Sequence, residues 1–334
     1  MLPISDGVRT IINLPDPLAS DGGDLMTSIM RPKLSYLICA TPRSGSTLLC
    51  DALGRTGIAG YPAEHFEVLL ETGHPRRPRD YFQRSNDPAV WALLDDPEFR
   101  DVLGDYGGRF AENPDLDDPS WRMPDFRQLL NQALEKGTTP NGVFGTKIMW
   151  AYFRDFVRLA RRTGREGVEP CEVAASVFPN LRRYVWIRRR DTLRQAVSLW
   201  KALQTQQWRR DSDEDTGAGT LRFSFAAVDH LKLRIDEHNA AWEGFFGDCG
   251  VETVRIAYED LVEDYEGTLL RLLEEIGVNI PEDFVMEKPQ MQRQSNELSE
   301  EWVRRYEESA RQRELDRQRN RERDRIAAKT IKGA

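Results

Sequence analysis

The sequence predicts an α/β protein built on a largely parallel central sheet. Three observations lead there. Short apolar, β-rich segments recur at Tyr36–Ala40, Val143–Lys147, Tyr184–Ile187 and Val251–Ala257. Helical patterns at Thr47–Arg55, Thr192–Leu203, Phe225–Phe246 and Leu261–Ile276 fall between or after them, the alternation that produces parallel sheets. The 334 residues are 40% apolar, enough to fill a sizeable core.

The elements follow in chain order. Residues 1–33 mix Pro, Gly, Asp and Ser without periodicity and read as an extension. "ICATPRSGSTLLCDAL", residues 38–53, begins as a buried strand, turns through Pro42, Ser44, Gly45 and Ser46, and resumes as an amphipathic helix. Residues 73–125, rich in Pro, Asp and aromatics, read as a helical insertion or lid with short helices around Val90–Leu94 and Phe99–Tyr106. Asp191 stands as an N-cap for the helix at Thr192. The polar stretch Arg209–Gly219, "RRDSDEDTGAG", reads as a loop between two helices. From Arg304 to Lys332, eleven Lys/Arg alternate with six Asp/Glu, a tail of +5 that reads as a solvated charged helix. The domain proper is therefore expected over 34–306, with the tail at 307–334.

Composition excludes several classes. The longest apolar runs fall far short of the roughly 20 residues a membrane span needs, so no stable membrane insertion is expected. The first thirty residues lack a signal-peptide core of about 7–15 apolar residues, which makes the cytoplasm the expected location. Cys39, Cys50, Cys171 and Cys249 form no CxxC pair, against a zinc site, a redox motif or a disulfide framework, and no metal is expected. A net charge of −8 opposes nucleic-acid binding. An anionic ligand needs a focused site.

The loop after the first strand is such a site. A Gly/Ser turn feeding a helix N-terminus directs unpaired backbone N–H groups and the positive end of the helix dipole to one point. Ser44, Ser46 and Thr47 add hydroxyls, and Arg43 adds a planar donor fork suited to phosphate or sulfate oxygens. Against the Walker pattern GxxxxGK[ST], Gly45 and Thr47 stay in register, but Ala40 replaces the first Gly and Ser46 the lysine. The loop suits a metal-free phosphate binder better than an ATPase. After the strand at Tyr184–Ile187, Arg190 and Ser198 lie eight residues apart at the start of a helix, where both can reach a second phosphate.

"TPRSGST" together with Arg190/Ser198 resembles the loop and the Arg…Ser pair of sulfotransferases that use 3′-phosphoadenosine 5′-phosphosulfate (PAPS). "GYPAEHFEVL" (60–69), "PNGVFGTKIMW" (140–150), "DTLRQAVSLWKALQTQQW" (191–208) and "RQSNELSEEWVRRY" (293–306) are similar to the bacterial trehalose 2-sulfotransferase family, in consistent order over roughly residues 35–306. The resemblance implies a three-layer, P-loop-like sulfotransferase fold and a homodimer. It implies transfer of a sulfuryl group from PAPS, without metal, to a hydroxyl of a carbohydrate or glycolipid. It assigns Arg43, Ser44, Gly45, Ser46 and Thr47 to the 5′-phosphosulfate, Arg190 and Ser198 to the 3′-phosphate, and Arg293 and Gln294 to a segment closing over the nucleotide. Glu64 matches the proposed catalytic base, and Lys147, with Arg43, falls near the transferred group. His65 competes as a base, with an intrinsic pKa near 6.5.

Tyr61, His65, Trp150 and Trp208 are the expected acceptor contacts beside Glu64, since aromatic faces stack on sugar C–H surfaces; Phe66 and Trp200 are further aromatics of that kind. Two other readings compete. A nucleotide-dependent kinase can use the same loop, although the Walker lysine is missing. A non-catalytic nucleotide-binding scaffold would act through the charged tail.

Overall fold

The computed structural model describes residues 31–67, 78–82, 85–97, 99, 125–165, 167–205, 208, 221–287 and 297–332. Four parallel strands form one sheet: β1 (Leu34–Ala40), β2 (Val143–Met149), β3 (Leu181–Arg188) and β4 (Thr253–Ala257), in the order β2-β1-β3-β4. All seven residues of β1 and of β2 are buried, as expected of parallel strands covered on both faces. β1 pairs with β2 from Leu34↔Val143 to Ala40↔Met149 and with β3 at Cys39↔Trp186, so the three strands end close together.

Helices flank the sheet. α1 (Ser46–Arg55) follows β1; α2 (Pro88–Asp95) and α3 (Phe126–Gly137) precede β2; α4 (Trp150–Arg161) and α5 (Pro170–Val177) lead to β3. α6 (Thr192–Thr205) and α7 (Phe225–Cys249) connect β3 to β4, and α8 (Tyr258–Glu263), α9 (Tyr265–Ile276) and α10 (Glu297–Lys332) complete the described chain. The α/β reading with a parallel sheet is thus borne out. One expected helix, Leu261–Ile276, is two. Asp264 breaks it in a non-helical conformation while its side chain accepts from Gly267 N, capping α9.

α7 shows how the sequence sets length. Ser224 caps its start by accepting from Ala227 N, and Gly250, in the left-handed region at φ 57°, ends it after 25 residues. Its buried face carries Trp242, whose indole donates to Ala40 O at 3.0 Å. Burying one such aromatic contributes about 3 kcal/mol, and the hydrogen bond ties α7 to the C-terminal end of β1. A second apolar cluster joins Phe82, Val90, Trp200, Val228 and Leu231 to Trp302 and Val303 of α10. α10 is held there by Lys201 to Ser299, Arg194 to Glu300 and Tyr306 to Asp229, then runs exposed over 311–326. It passes through 306–307 without a break.

No helix among the described residues is long and apolar enough to cross a membrane. The extension up to residue 30, the rest of the helix read at Phe99–Tyr106 apart from Phe99, the loop at Arg209–Gly219, and Arg293 and Gln294 lie outside the described residues.

Candidate active site

The order β2-β1-β3-β4 reverses direction between β1 and β3, and in open parallel sheets ligands bind outside the carboxyl ends of the strands at such a switch point. The loop 41–45 leaves β1 there. Its backbone is unusual: Arg43 has φ 63° and Gly45 φ 89°. A left-handed non-glycine residue costs on the order of 1 kcal/mol and is sustained only where the surroundings enforce it. Here they do. The fully buried Gln195 of α6 donates through its amide to Thr41 Oγ1 at 3.0 Å and to Pro42 O at 2.6 Å. At Gly45 a Cβ would lie 2.4 Å from Tyr258 Cδ2, so only glycine lets the ring of Tyr258 seat against the loop.

That backbone turns Arg43 toward α6. Its Nε donates to Ser198 Oγ at 3.1 Å and its Nη1 to Trp208 O at 2.7 Å. Trp208 in turn stacks on Tyr81 with ring centroids 6.1 Å apart. Burial, followed by the nearby charge of Arg189, lowers the Arg43 pKa to about 10, which still leaves it cationic at neutral pH. Arg189 lies over the Tyr258 ring at 4.9 Å, and its buried Nε has no hydrogen-bond partner among the described residues. The same holds for the hydroxyl of Ser44, a residue with no exposed surface. Adjacent cations and buried donors left open are expensive unless an anion joins them. Ser46, also buried, starts α1, whose N-cap Gly45 has no side chain to satisfy the first N–H groups.

Arg190 is differently placed. Its guanidinium is exposed and forms two 2.6 Å bonds to Asp260, while its backbone N donates to Glu259 at 3.1 Å. Ser198 faces Arg43. The two residues spaced eight apart therefore meet different partners here, and Arg189 is the arginine beside Arg43.

A second cluster lies against β2. Gly60, at φ 76°, packs where a Cβ would be 2.7 Å from Gly145 N, which brings the following segment onto the strand. Tyr61 N donates to Gly137 O at 2.9 Å, and Lys147 N donates to Ala63 O at 2.9 Å. Glu64 is thereby held over Lys147, and their side chains pair at 2.8 Å, Nζ to Oε1. The Tyr152 hydroxyl donates to the other oxygen, Oε2, at 3.2 Å. Burial pulls the Lys147 ammonium pKa down, but Glu64 and smaller negative contributions outweigh it, and the net shift is upward. Lys147 is a cation.

His65 turns aside. One ring nitrogen meets Tyr61 O at 3.3 Å and the ring stacks on Phe144, while burial, with Lys136 adding to it, lowers its pKa. Tyr61 is 43% exposed, as an acceptor contact would be. Trp150, partly buried, packs edge-on against Trp242 at 4.8 Å. Phe66 and Trp200 are fully buried core residues.

The sequence reading missed Arg189, Tyr258, Gln195 and Tyr152. Two of these had a legible signal: Arg189 directly follows β3, and Tyr258 directly follows β4, positions that a parallel sheet delivers to the same edge as the loop after β1.

Fold and site together define a parallel α/β protein that gathers open cationic and hydroxyl donors on and beside a glycine-pinned loop, an arrangement suited to holding an anion. Residues 35–309 match the family described as Stf0 sulphotransferase, and the chain belongs to that family and is a sulfotransferase. It is 32% identical over 287 residues to "Trehalose 2-sulfotransferase" of Mycobacterium tuberculosis (strain ATCC 35801 / TMC 107 / Erdman), covering 84% of this chain and 96% of that protein. The protein of the same name from Mycolicibacterium smegmatis (strain ATCC 700084 / mc(2)155) is 31% identical over 278 residues, 83% of this chain and 95% of that one. Sulfotransferase STF9 from Mycobacterium avium superposes loosely, with TM-score 0.35 and 15% identity over 83% of this chain and 68% of that chain.

Proposed function

We propose that the enzyme transfers the sulfuryl group of PAPS to a hydroxyl of a trehalose-like carbohydrate or glycolipid, by in-line displacement without a metal. The observation that carries this reading is the set of buried donors around loop 41–45: the open Ser44 hydroxyl, the open Arg189 Nε and the desolvated Arg43. An anion of several oxygens fits that donor set. When bound, PAPS supplies an activated sulfuryl group on a phosphate leaving group.

The chain's own residues do the rest. Arg43, Ser44, Gly45, Ser46 and Thr47 would hold the 5′-phosphosulfate through backbone amides, hydroxyls and a guanidinium. Ser198 and Arg190, with Arg189 beside them, would hold the 3′-phosphate, and Arg293 and Gln294 belong to the segment proposed to close over the nucleotide. As the acceptor oxygen bonds to sulfur and the sulfur–oxygen bond to phosphate breaks, negative charge grows on the departing phosphate. Arg43 and Lys147 stabilise it, and preorganised donors of this kind contribute a few kcal/mol each. The proton of the acceptor hydroxyl goes to the Glu64 carboxylate. Tyr61, His65, Trp150 and Trp208 are the proposed acceptor contacts. Two names among the relatives, both trehalose 2-sulfotransferases, support a trehalose-like acceptor. A homodimer in the cytoplasm completes the proposal.

The test is mass spectrometry of trehalose and related sugars incubated with PAPS and a chelator. A mass gain of one SO₃ group on a sugar is expected, and its absence across the panel would defeat the assignment. Glu64→Gln should keep 3′,5′-bisphosphoadenosine affinity while lowering turnover by roughly 10²- to 10⁴-fold.

A further inference from the structure

Both oxygens of the Glu64 carboxylate are engaged. Lys147 Nζ sits 2.8 Å from Oε1, and the Tyr152 hydroxyl donates to Oε2 at 3.2 Å. In the proposed reaction the Lys147 ammonium is drawn away toward the charge growing on the departing phosphate. The carboxylate would then lose its strongest anchor at the moment its aim matters most, and among the described residues Tyr152 is its one remaining side-chain partner.

Tyr152 is built to stay. It occupies the first turn of α4, is 5% exposed, and belongs to the main core cluster. Its oxygen also lies 3.4 Å from the Lys147 carbonyl, and its ring is held by the core rather than by the Lys147 ammonium. The hydroxyl has one proton, and the nearer, charged acceptor takes it. Burial first, and the Glu64 charge second, push the phenol pKa well above its ordinary value, so Tyr152 remains a donor throughout.

We propose that Tyr152 is a positioning residue, whose hydroxyl keeps the Glu64 carboxylate aimed at the acceptor while Lys147 moves to the leaving group. This rests on Glu64 being the base. Among the described residues, the charged and titratable groups around Glu64 include Lys147 from β2, Tyr152 from α4 and Glu67 on its own segment, with Cys50 of α1 acting on Lys147 and His65 turned to the Tyr61 carbonyl.

The experiment is Tyr152→Phe, made in the parent and in Glu64→Gln, with kcat and KM for PAPS measured in each. In the parent background kcat should fall about 10-fold while KM for PAPS holds. In Glu64→Gln the same change should cost nothing further, because the two residues act as a unit. Equal losses in both backgrounds overturn the proposal. A Glu64→Gln enzyme as active as the parent overturns the base itself and Tyr152's role with it, which separates the two failures. Should Tyr152→Phe not fold, 3-fluorotyrosine at position 152 keeps the ring and strengthens the donor. It should change kcat several-fold in the parent and not in Glu64→Gln, and an equal change in both backgrounds, or none in the parent, refutes the role.

Discussion

Ser44→Ala has opposite expected effects on stability and on binding. In the ligand-free protein the Ser44 hydroxyl is fully buried without a partner among the described residues. Leaving a buried polar group unsatisfied costs about 1–3 kcal/mol, so deleting it should stabilise the free enzyme by an amount in that range. With unfolding entropy of roughly 2.1 cal/mol/K per residue over 334 residues, each kcal/mol moves Tm by about 1.4 °C, giving a rise of about 1.5–4 °C. The same hydroxyl is read as a donor to the phosphosulfate, and a hydrogen bond to a charged group is worth about 1.5–3 kcal/mol. Affinity for 3′,5′-bisphosphoadenosine, whose 5′-phosphate is proposed to meet this loop, should therefore fall by about 10- to 100-fold. Differential scanning calorimetry on the free enzyme and titration calorimetry with the nucleotide measure the two effects separately. A variant that is less stable and binds as tightly as the parent would refute the reasoning, since the serine would then be a packing residue in an ordinary turn.

Three further outcomes are expected. Gly45→Ala adds a left-handed non-glycine residue and a Cβ 2.4 Å from Tyr258 Cδ2, so it should lose about 2–4 kcal/mol of stability by denaturant titration, and a loss under about 1 kcal/mol would show that Tyr258 does not need the space. Asp260→Asn should release Arg190 from its bidentate partner and tighten 3′,5′-bisphosphoadenosine binding several-fold, while Arg189→Ala should weaken it at least about 10-fold; titration calorimetry showing neither would place the 3′-phosphate elsewhere. His65 has a folded pKa below its ordinary 6.5, with burial as the main cause, so the fold favours the neutral ring. Its contribution to stability is complete above 6.5 and is lost as pH falls from there through its lower folded pKa, so His65→Gln should flatten the stability profile below about pH 6.5; an unchanged slope there would contradict it.

The sheet was legible because parallel strands buried on both faces are largely apolar, and "LSYLICA", and "VFGTKIM" apart from Thr146 and Lys147, satisfy that. Strand ends were less legible. β2 runs to Met149 and β3 begins at Leu181, beyond the apolar cores of their segments, because neighbouring strands supply the pairing there. The break at Asp264 was hidden by a helical pattern that continues through it. What starts α9 afresh is a capping hydrogen bond made by one aspartate, a local interaction that periodicity does not register.

The site divides along the same physical line. Local chemistry exposed the loop at 41–47, since a Gly/Ser turn between strand and helix carries its anion-binding logic within a few residues. Pairings between distant segments are not local. Arg189 and Arg190 are neighbours in "RRRD", and sequence spacing favoured the second; in the fold, the acids of α8 occupy Arg190, while Arg189 is left to stack on Tyr258 beside Arg43. That choice is made by Glu259 and Asp260, roughly seventy positions away, which arrive at the same edge only because β4 is parallel to β3. Tyr152 was hidden for the corresponding reason. The helix carrying it starts where β2 ends, and the segment carrying Glu64 is fastened to that strand through Ala63 and Gly60, so the phenol and the carboxylate meet across 88 residues. The anion-binding logic of the turn is carried within a few residues, whereas the residues packed around it and around Glu64 come from distant segments, and those pairings become visible only once the register of the sheet is known.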